Sequence, residues 1–123
     1  MFNNSFLKKL NILFIESNTE DREHFSNILY KFFNNVVVCS NGKDGIDNFL
    51  EKRQEYFLDI IICDKTLEDI TGIEVLKKIR EIDSEIPFII TSPKIEVDDL
   101  LIAIKYKATD YLSKPINGKD MIF

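Results

Sequence analysis

Residues 60–72 read IIICDKTLEDITG, an apolar run that passes straight into the carboxylate of Asp64 and then into a polar loop that reaches Gly72. The run shows no alternation with polar residues, which is typical of a strand that is buried on both faces. Comparable runs occur before and after it in the chain, at 10–15, 36–39, 87–91 and 108–112. We therefore predict five strands, of which residues 58–63 form the third.

Helical periodicity occupies the segments between these runs. The apolar positions recur at helical spacing in four groups: Phe25, Ile28, Leu29, Phe32 and Phe33; Ile46, Phe49 and Leu50; Ile73, Leu76 and Ile79; and Val97, Leu100, Leu101 and Ile104. Thr71 with Glu74 three residues later has the spacing of a capping box at the start of the third helix. Strands that are apolar on both faces and alternate with amphipathic helices predict a doubly wound α/β domain, with a parallel sheet and helices on both faces.

Composition and charge narrow the class of protein. With 123 residues that are 45% hydrophobic, the chain suits one domain with a substantial core. A net charge of -5 argues against a nucleic-acid surface or an anionic-membrane surface, because both require clustered positive charge. The apolar run after the N-terminal lysines is too short for a signal peptide or a membrane span. Cys39 and Cys63 each end a strand-like run, so we expect buried, reduced thiols in a cytoplasmic protein.

Polar residues follow the predicted strands at the edge where ligands bind in such sheets. They are Glu16, Ser17 and Asn18 after the first strand, Asp64 after the third, Thr91 and Ser92 after the fourth, and Lys114 and Pro115 after the fifth. An acid, a hydroxyl and a lysine delivered to one edge fit a carboxylate that takes up a phosphoryl group. In this interpretation Asp64 attacks, a cation near the first loop neutralises charge, and Lys114 and a hydroxyl hold the phosphoryl oxygens.

Taken together, these residues resemble the receiver domain of two-component response regulators over essentially the whole chain. The likeness rests on four motifs in order: an acid-bearing loop after NILFI, the run into Asp64 with Gly72 eight residues later, a hydroxyl after PFIIT, and an aromatic before Lys-Pro in DYLSKP. It implies a five-stranded parallel sheet in the order 2-1-3-4-5. It also implies one receiver domain over residues 1–123, with a truncated last helix, as the N-terminal part of a longer regulator.

The resemblance assigns a role to each residue of the predicted site. Asp64 is the phosphoacceptor, Lys114 the lysine beside it, Ser92 the switch hydroxyl with Thr91 as the alternative, and Tyr111 the aromatic that turns inward on activation. The metal would be Mg²⁺, bound by Glu16, weakly by Ser17, by Asp64, and by the backbone carbonyl of Thr66. A tight turn that aims Lys114 at the acceptor implies a cis Lys114–Pro115 bond, which is uncommon among X–Pro bonds.

The same resemblance implies the partners. The phosphodonor would be a histidine kinase or a phosphotransfer protein, and the output would pass to a downstream effector domain or protein. Direct contact with nucleic acid or with a membrane is not expected. Such a domain is no enzyme in the usual sense, since at most it catalyses its own phosphotransfer and autodephosphorylation.

Three positions depart from the pattern of the family. Ser17 replaces a second acid that binds Mg²⁺ directly, so the metal site should be weak. Pro93 follows the switch hydroxyl, where the family uses a backbone N–H to hold a phosphoryl oxygen, and proline has none. Glu68 stands where a proline is common, which we regard as minor. These departures leave open a degenerate receiver that acts as a phosphorylation-independent interaction module.

Two other classes of protein share parts of the pattern. A dehalogenase-type phosphatase also places an Asp after a hydrophobic strand, but it needs a cap and further acidic ligands for which this chain has no room. A flavin mononucleotide binder of flavodoxin type could use residues 17–21 as a phosphate loop, but that stretch has no glycine and carries two acids. His24, the only histidine, is expected to be an ordinary residue at the surface of the first predicted helix or at the edge of its apolar stripe.

Overall fold

Five short strands form one parallel sheet in the computed structural model, which describes residues 4–116. They are β1 (Ile12–Ile15), β2 (Val36–Cys39), β3 (Ile60–Asp64), β4 (Phe88–Ser92) and β5 (Asp110–Ser113). Their order across the sheet is β2-β1-β3-β4-β5, and every neighbouring pair is parallel. The predicted fold class and strand order are therefore confirmed.

One short helix precedes β1, and longer helices connect the successive strands. They are α1 (Asn4–Leu7), α2 (Thr19–Phe32), α3 (Gly42–Lys52), α4 (Gly72–Ile82) and α5 (Val97–Lys105). The apolar stripes predicted α2 to α5, whereas the single turn of α1 has no such stripe and was not predicted. The expected last helix lies outside the described residues. Within residues 4–116 we find no helix of the length and apolar character that crossing a bilayer requires.

The two faces of the sheet are covered by different helices. Because successive strand residues point to opposite faces, neighbours along β1 enter different cores. Ile12 and Phe14 pack against the side that carries α1 and α2, where the Phe14 and Phe25 rings meet edge to face at 5.3 Å. Leu13 and Ile15 pack against α3, α4 and α5. Burial on both faces explains why the strands read as continuous apolar runs.

Both cysteines are buried free thiols, as predicted. Burial and the nearby carboxylate of Asp44 raise the pKa of the Cys39 thiol to about 11. Burial also raises the pKa of Cys63, with the charge of Asp64 adding to the effect. Neither thiol is therefore suited to nucleophilic chemistry at neutral pH.

Two polar residues just beyond the predicted strands, Asp64 and Ser92, lie inside the observed strands. Asp64 is the last residue of β3, opposite Thr91 in β4, and Ser92 closes β4. The backbone ladder continues past the apolar side chains, with the N–H of Lys65 donating to the carbonyl of Thr91 at 2.8 Å. Hydrogen bonding of the backbone, and not the polarity of the side chains, ends these strands. The correction is small, but it places Asp64 within the hydrogen-bonded ladder of the sheet and not in a loop.

The loop after β3 is held by short-range contacts. A Cβ atom on Gly72 would collide with the backbone carbonyl oxygen of Asp64, so only glycine permits this close return of the chain. Thr71 caps α4 by accepting from the N–H of Glu74 at 3.1 Å, in line with the predicted helix start. Asp69 accepts from the N–H groups of Gly42 and Lys43 at the start of α3, both at 2.8 Å. The loop is thereby attached to two helices.

Candidate functional site

Lys114 lies at the centre of an acidic cluster at the carboxyl edge of the sheet. Its Nζ atom is 2.6 Å from Glu16 Oε1, 3.1 Å from Asp21 Oδ2 and 3.2 Å from Asp64 Oδ1. These carboxylates come from the loop after β1, the first turn of α2 and the end of β3. The Lys114–Pro115 bond is cis, as predicted.

Burial makes the charges of this cluster strongly interdependent. Glu16 is 1% exposed and Asp64 is 4% exposed. Burial raises the pKa of Glu16, and the charge of Asp64 adds to this, while Lys114 acts in the opposite direction. Burial alone would lower the pKa of Lys114, but Glu16, Asp64 and Asp21 outweigh it and the pKa is raised. The ammonium group is therefore held charged among the carboxylates.

Asp64 keeps one oxygen without a hydrogen bond. Its Oδ1 atom is buried and has no hydrogen-bond partner among the residues described, although Lys114 Nζ is 3.2 Å away as an ion-pair contact. A buried carboxylate oxygen in this condition is costly unless a cation or a donor completes its coordination. The geometry therefore provides an acceptor atom that a ligand can use.

The loop after β1 sends its two consecutive side chains in different directions. Glu16 accepts from the N–H of Asn18 at 3.2 Å and from Lys114. Ser17 leaves the cluster: its hydroxyl donates to the carbonyl of Ser40 at 2.7 Å and accepts from the N–H of Glu68 at 2.9 Å. Ser17 thus joins the loops that follow β1, β2 and β3. Whether it also contacts a metal, as the resemblance implies, stays a prediction.

The two candidate hydroxyls of β4 have different surroundings. Ser92 Oγ donates to the carbonyl of Lys94 at 2.8 Å, across Pro93. Thr91 Oγ1 is buried, has no hydrogen-bond partner among the described residues, and lines a cavity of about 30 Å³ together with Glu16 and Lys114. Adjacent strand residues point to opposite faces, which separates the two hydroxyls.

A second ion pair lies on the other side of Asp64. Lys65 Nζ is 2.8 Å from Asp99 Oδ2 at the start of α5, and both side chains are partly buried. Tyr111 is 8% exposed, so its ring is turned into the protein in this structure. Burial raises the pKa of Tyr111, while the charge of Lys65 opposes the increase. Lys65 therefore faces α5 and Tyr111.

The sequence analysis missed two residues that the structure brings to the site. Asp21 is the third carboxylate around Lys114, and Asp99 is the partner of Lys65. A helix beginning just after Asn18 would have indicated that Asp21 lies in its first turn, near Glu16. No comparable sequence signal identifies Asp99. His24 is exposed on α2, as expected, and its side chain borders the small cavity beside Lys114.

The predicted Mg²⁺ ligands can be compared with the side chains that the structure brings together. Within residues 4–116, no three His, Cys, Asp or Glu side chains converge in an arrangement that would hold a metal ion. Two carboxylates, Glu16 and Asp64, are present, and the unsatisfied Oδ1 of Asp64 suits a cation. Thr66 follows Asp64 by two residues in the loop that returns to Thr71. These residues fit a Mg²⁺ ion with few protein ligands.

Comparison with known proteins places these observations in a family context. A sequence model of a family described as the response regulator receiver domain matches residues 12–122. The transcriptional regulatory protein ZraR of Klebsiella oxytoca is 35% identical over 82 residues, which are 67% of this chain and 18% of ZraR. The response regulator ArlR of Staphylococcus aureus is 34% identical over 88 residues, which are 72% of this chain and 38% of ArlR. The matches thus span less than half the length of either relative.

Solved structures with the same fold include two with high coverage. The N-terminal domain of an uncharacterized protein from Wolinella succinogenes has a TM-score of 0.82 and 27% identity, and the alignment covers 92% of this chain and 88% of that one. A response regulator receiver domain protein from Clostridium thermocellum has a TM-score of 0.83 and 24% identity, with the same coverage. At 24% identity, the similarity to the Clostridium thermocellum protein is evidence for the fold alone.

Proposed function

We propose that this chain, which belongs to the family of response regulator receiver domains, accepts a phosphoryl group on Asp64 and thereby switches a surface for protein interaction. The observation that carries the proposal is the environment of Asp64. It lies at the end of β3, is nearly fully buried, keeps one oxygen free of hydrogen bonds, and stands 3.2 Å from the Lys114 ammonium. A carboxylate nucleophile next to a cation is what phosphoryl acceptance requires.

The reaction assigns each residue a task. A carboxylate oxygen of Asp64 attacks phosphorus of a phosphohistidine, the P–N bond breaks, and its electron pair returns to the imidazole, which takes up a proton. The carboxylate charge of Asp64 is lost to the new O–P bond, and Lys114 pairs with the negative phosphoryl oxygens that the transfer brings to the site. Ser92 must release the carbonyl of Lys94 before its hydroxyl can reach the phosphoryl group. Tyr111, the predicted switch aromatic, is already buried in this structure and would keep this inward position after Ser92 has moved.

Mg²⁺ belongs to the proposal, because the donor set around Asp64 fits it. Glu16, Asp64 and the backbone carbonyl of Thr66 would hold the ion. When bound, it supplies positive charge that neutralises the phosphoryl oxygens. Ser17 adds no negative charge, and its hydroxyl proton is already donated to Ser40. We therefore expect weak Mg²⁺ binding, with Ser17 as a minor ligand.

Partners are inferred from the family and its longer members. The phosphoryl donor would be a histidine kinase or a phosphotransfer protein, and the signal would pass to a downstream effector domain or protein. A cytoplasmic location is part of this proposal. That the chain is one receiver domain at the N-terminal end of a longer regulator stays a prediction; the matched segments are 18% and 38% of the two relatives.

A receiver that works without phosphorylation is the second candidate. Two features support it: Pro93 offers no N–H to a phosphoryl oxygen, and Ser17 stands in the place of an acid. A charge-assisted hydrogen bond of that kind contributes roughly 1.5–3 kcal/mol. Its loss lowers the equilibrium for acyl-phosphate formation by roughly one to two orders of magnitude.

One experiment tests both candidates. The protein is incubated with acetyl phosphate and Mg²⁺, the mass of the intact chain is measured, and the structural response is followed by NMR. We expect partial addition of one phosphoryl group, none in Asp64→Ala, and a higher yield in Ser17→Asp combined with Pro93→Ala. Ser17→Ala is the matched control, because it removes the hydroxyl without adding charge. No labelling in any variant supports the phosphorylation-independent module, whereas full labelling of the unmodified chain removes the case for an impaired site.

A further inference from the structure

We propose that Asp21 is a positioning residue for Lys114, a third carboxylate that takes one N–H donor of the ammonium group and so weakens the binding of a phosphoryl-like anion at Asp64. The inference rests on the proposed function, because it concerns the same site. It adds a residue outside the motifs that identify the family. Asp21 does not contact the reacting atoms, and it acts only through Lys114.

The hydrogen bonds of Lys114 carry the argument. An ammonium group has three N–H donors. Lys114 Nζ hydrogen-bonds Asp21 Oδ2 at 3.1 Å and pairs with Glu16 Oε1 at 2.6 Å. It lies no nearer than 3.2 Å to Asp64 Oδ1, which has no hydrogen bond from any described residue. Two of the three donors are thus directed at Glu16 and Asp21, and the contact with Asp64 is an ion pair without a recorded hydrogen bond.

The position of Asp21 is set by its helix. Asn18 caps α2 by accepting from the N–H of Asp21 at 2.9 Å, which fixes the backbone of the first turn. An acid in a first helical turn is favourable in itself, because it faces the positive end of the helix dipole. Glu20 shares this turn and is exposed, but it forms no ion pair with Lys114. The chain thus contains a matched pair of acids of which only one contacts Lys114.

A phosphoryl-like anion at Asp64 would need Lys114 to turn toward it. Asp21 opposes this movement by retaining one N–H donor, and its negative charge repels the anion. The side chain of Asp21 is 49% exposed, so solvent screens both effects. We therefore expect a gain of roughly two- to fivefold in anion affinity when the charge is removed, which is the range of an exposed ion pair.

The test measures the affinity for beryllofluoride, an analogue of the phosphoryl group, at a constant Mg²⁺ concentration. Unmodified protein, Asp21→Asn, Asp21→Glu and Glu20→Gln are titrated and compared by NMR. We expect Asp21→Asn to bind roughly two- to fivefold more tightly, Glu20→Gln to match the unmodified protein, and Asp21→Glu to restore the weaker affinity. Equal affinities for Asp21→Asn and Glu20→Gln, or weaker binding by Asp21→Asn, would overturn the proposal.

A second measurement keeps the outcome separate from that of the proposed function. In the free protein, loss of Asp21 should let Lys114 hydrogen-bond Asp64, which moves the carboxyl ¹³C resonance of Asp64 at neutral pH. Glu20→Gln should leave that resonance in place. If no variant binds beryllofluoride, phosphoryl acceptance fails as a function, and the ¹³C resonance alone decides the role of Asp21. An unmoved resonance in Asp21→Asn then refutes it.

Discussion

Two lysines flank Asp64, and their surroundings differ in kind. Lys114 follows the last residue of β5, and its side chain is 12% exposed between the almost fully buried carboxylates of Glu16 and Asp64. Lys65 is bonded directly to Asp64 in the chain, yet its side chain turns away to Asp99, and the two are 23% and 33% exposed. Lys65, the neighbour of Asp64 in sequence, therefore points away from the site, whereas Lys114, which is distant in sequence, contacts Asp64 directly.

The difference in burial determines how much each ion pair contributes to the stability of the protein. Buried charges are poorly solvated, so the loss of one partner leaves a carboxylate that water does not stabilise. Partly exposed pairs keep much of their hydration, and their net contribution is small. The Lys114 cluster should therefore dominate the stability of this edge, while the Lys65–Asp99 pair should act locally on the start of α5.

The largest expected effect is that of Lys114→Met. This change leaves Glu16 and Asp64 buried beside one another without a cation, and we expect the free energy of unfolding at pH 7 to fall by about 3 kcal/mol. Urea denaturation measures the change. Glu16→Gln added to Lys114→Met should restore a large part of the loss. If Lys114→Met alone were as stable as the unmodified protein, the cluster would be hydrated and the contrast between the two lysines would be wrong.

Lowering the pH should reduce the loss of stability that Lys114→Met causes. Burial raises the pKa of Glu16 even with Lys114 present, and without Lys114 the pKa should be higher still. The folded variant then binds a proton at a pH where the unfolded chain does not, so its free energy of unfolding rises as the pH falls. We expect the gap between Lys114→Met and the unmodified protein to narrow between about pH 7 and pH 5. Denaturation curves across this range give the slope, and a constant gap would exclude Glu16 as the cause.

A smaller effect is expected for the second ion pair. Lys65→Gln and Asp99→Asn, alone and together, form a double-mutant cycle whose coupling energy should be about 0.2–1 kcal/mol. Neither change should reach the Lys114 cluster. Hydrogen exchange should be faster at the start of α5 in each single variant. A coupling energy comparable with the loss in Lys114→Met would mean that burial does not distinguish the two pairs.

The smallest expected change is the response of the two pairs to salt. At 1 M salt the Debye length is about 3 Å, so the coupling between Lys65 and Asp99 should approach zero. The loss caused by Lys114→Met should change little, because its carboxylates are shielded from solvent ions. Repeating the urea curves at low and high salt tests this difference. Equal salt sensitivity would place both pairs in the same environment.

Much of the fold could be predicted from local patterns. The apolar runs identified all five strands, and the stripes identified α2 to α5. The ends of β1 and β2 were predicted correctly, whereas β3, β4 and β5 end one residue later than predicted. At β3 and β4 the ladder at Lys65 and Thr91 continues where the side chains become polar. Every strand except β2 begins one or two residues later than predicted. The turn of α1 has too few residues for a periodic pattern, and it was missed for that reason.

The site was predictable only in part. Glu16, Asp64 and Lys114 were predicted together because parallel strands end at one edge, and each follows or closes a strand. Asp21 was missed, since its approach to Lys114 depends on the direction in which α2 leaves the sheet. The destination of the Ser17 hydroxyl was also beyond sequence reasoning, because it depends on two loops that are distant in the chain.

The sequence by itself determined the class of fold, the strand that carries Asp64 and the identity of its principal charged neighbours, because periodicity and residue type act locally along the chain. Tertiary structure alone decided which further charges join Asp64 and its neighbours and which leave them. It directed Lys65 to Asp99 and brought Asp21 to Lys114, since side chains a few ångströms apart are placed by helix packing and by loop closure. Electrostatic energy varies steeply with distance and burial. The side-chain positions that helix packing and loop closure set therefore control the chemistry of the site.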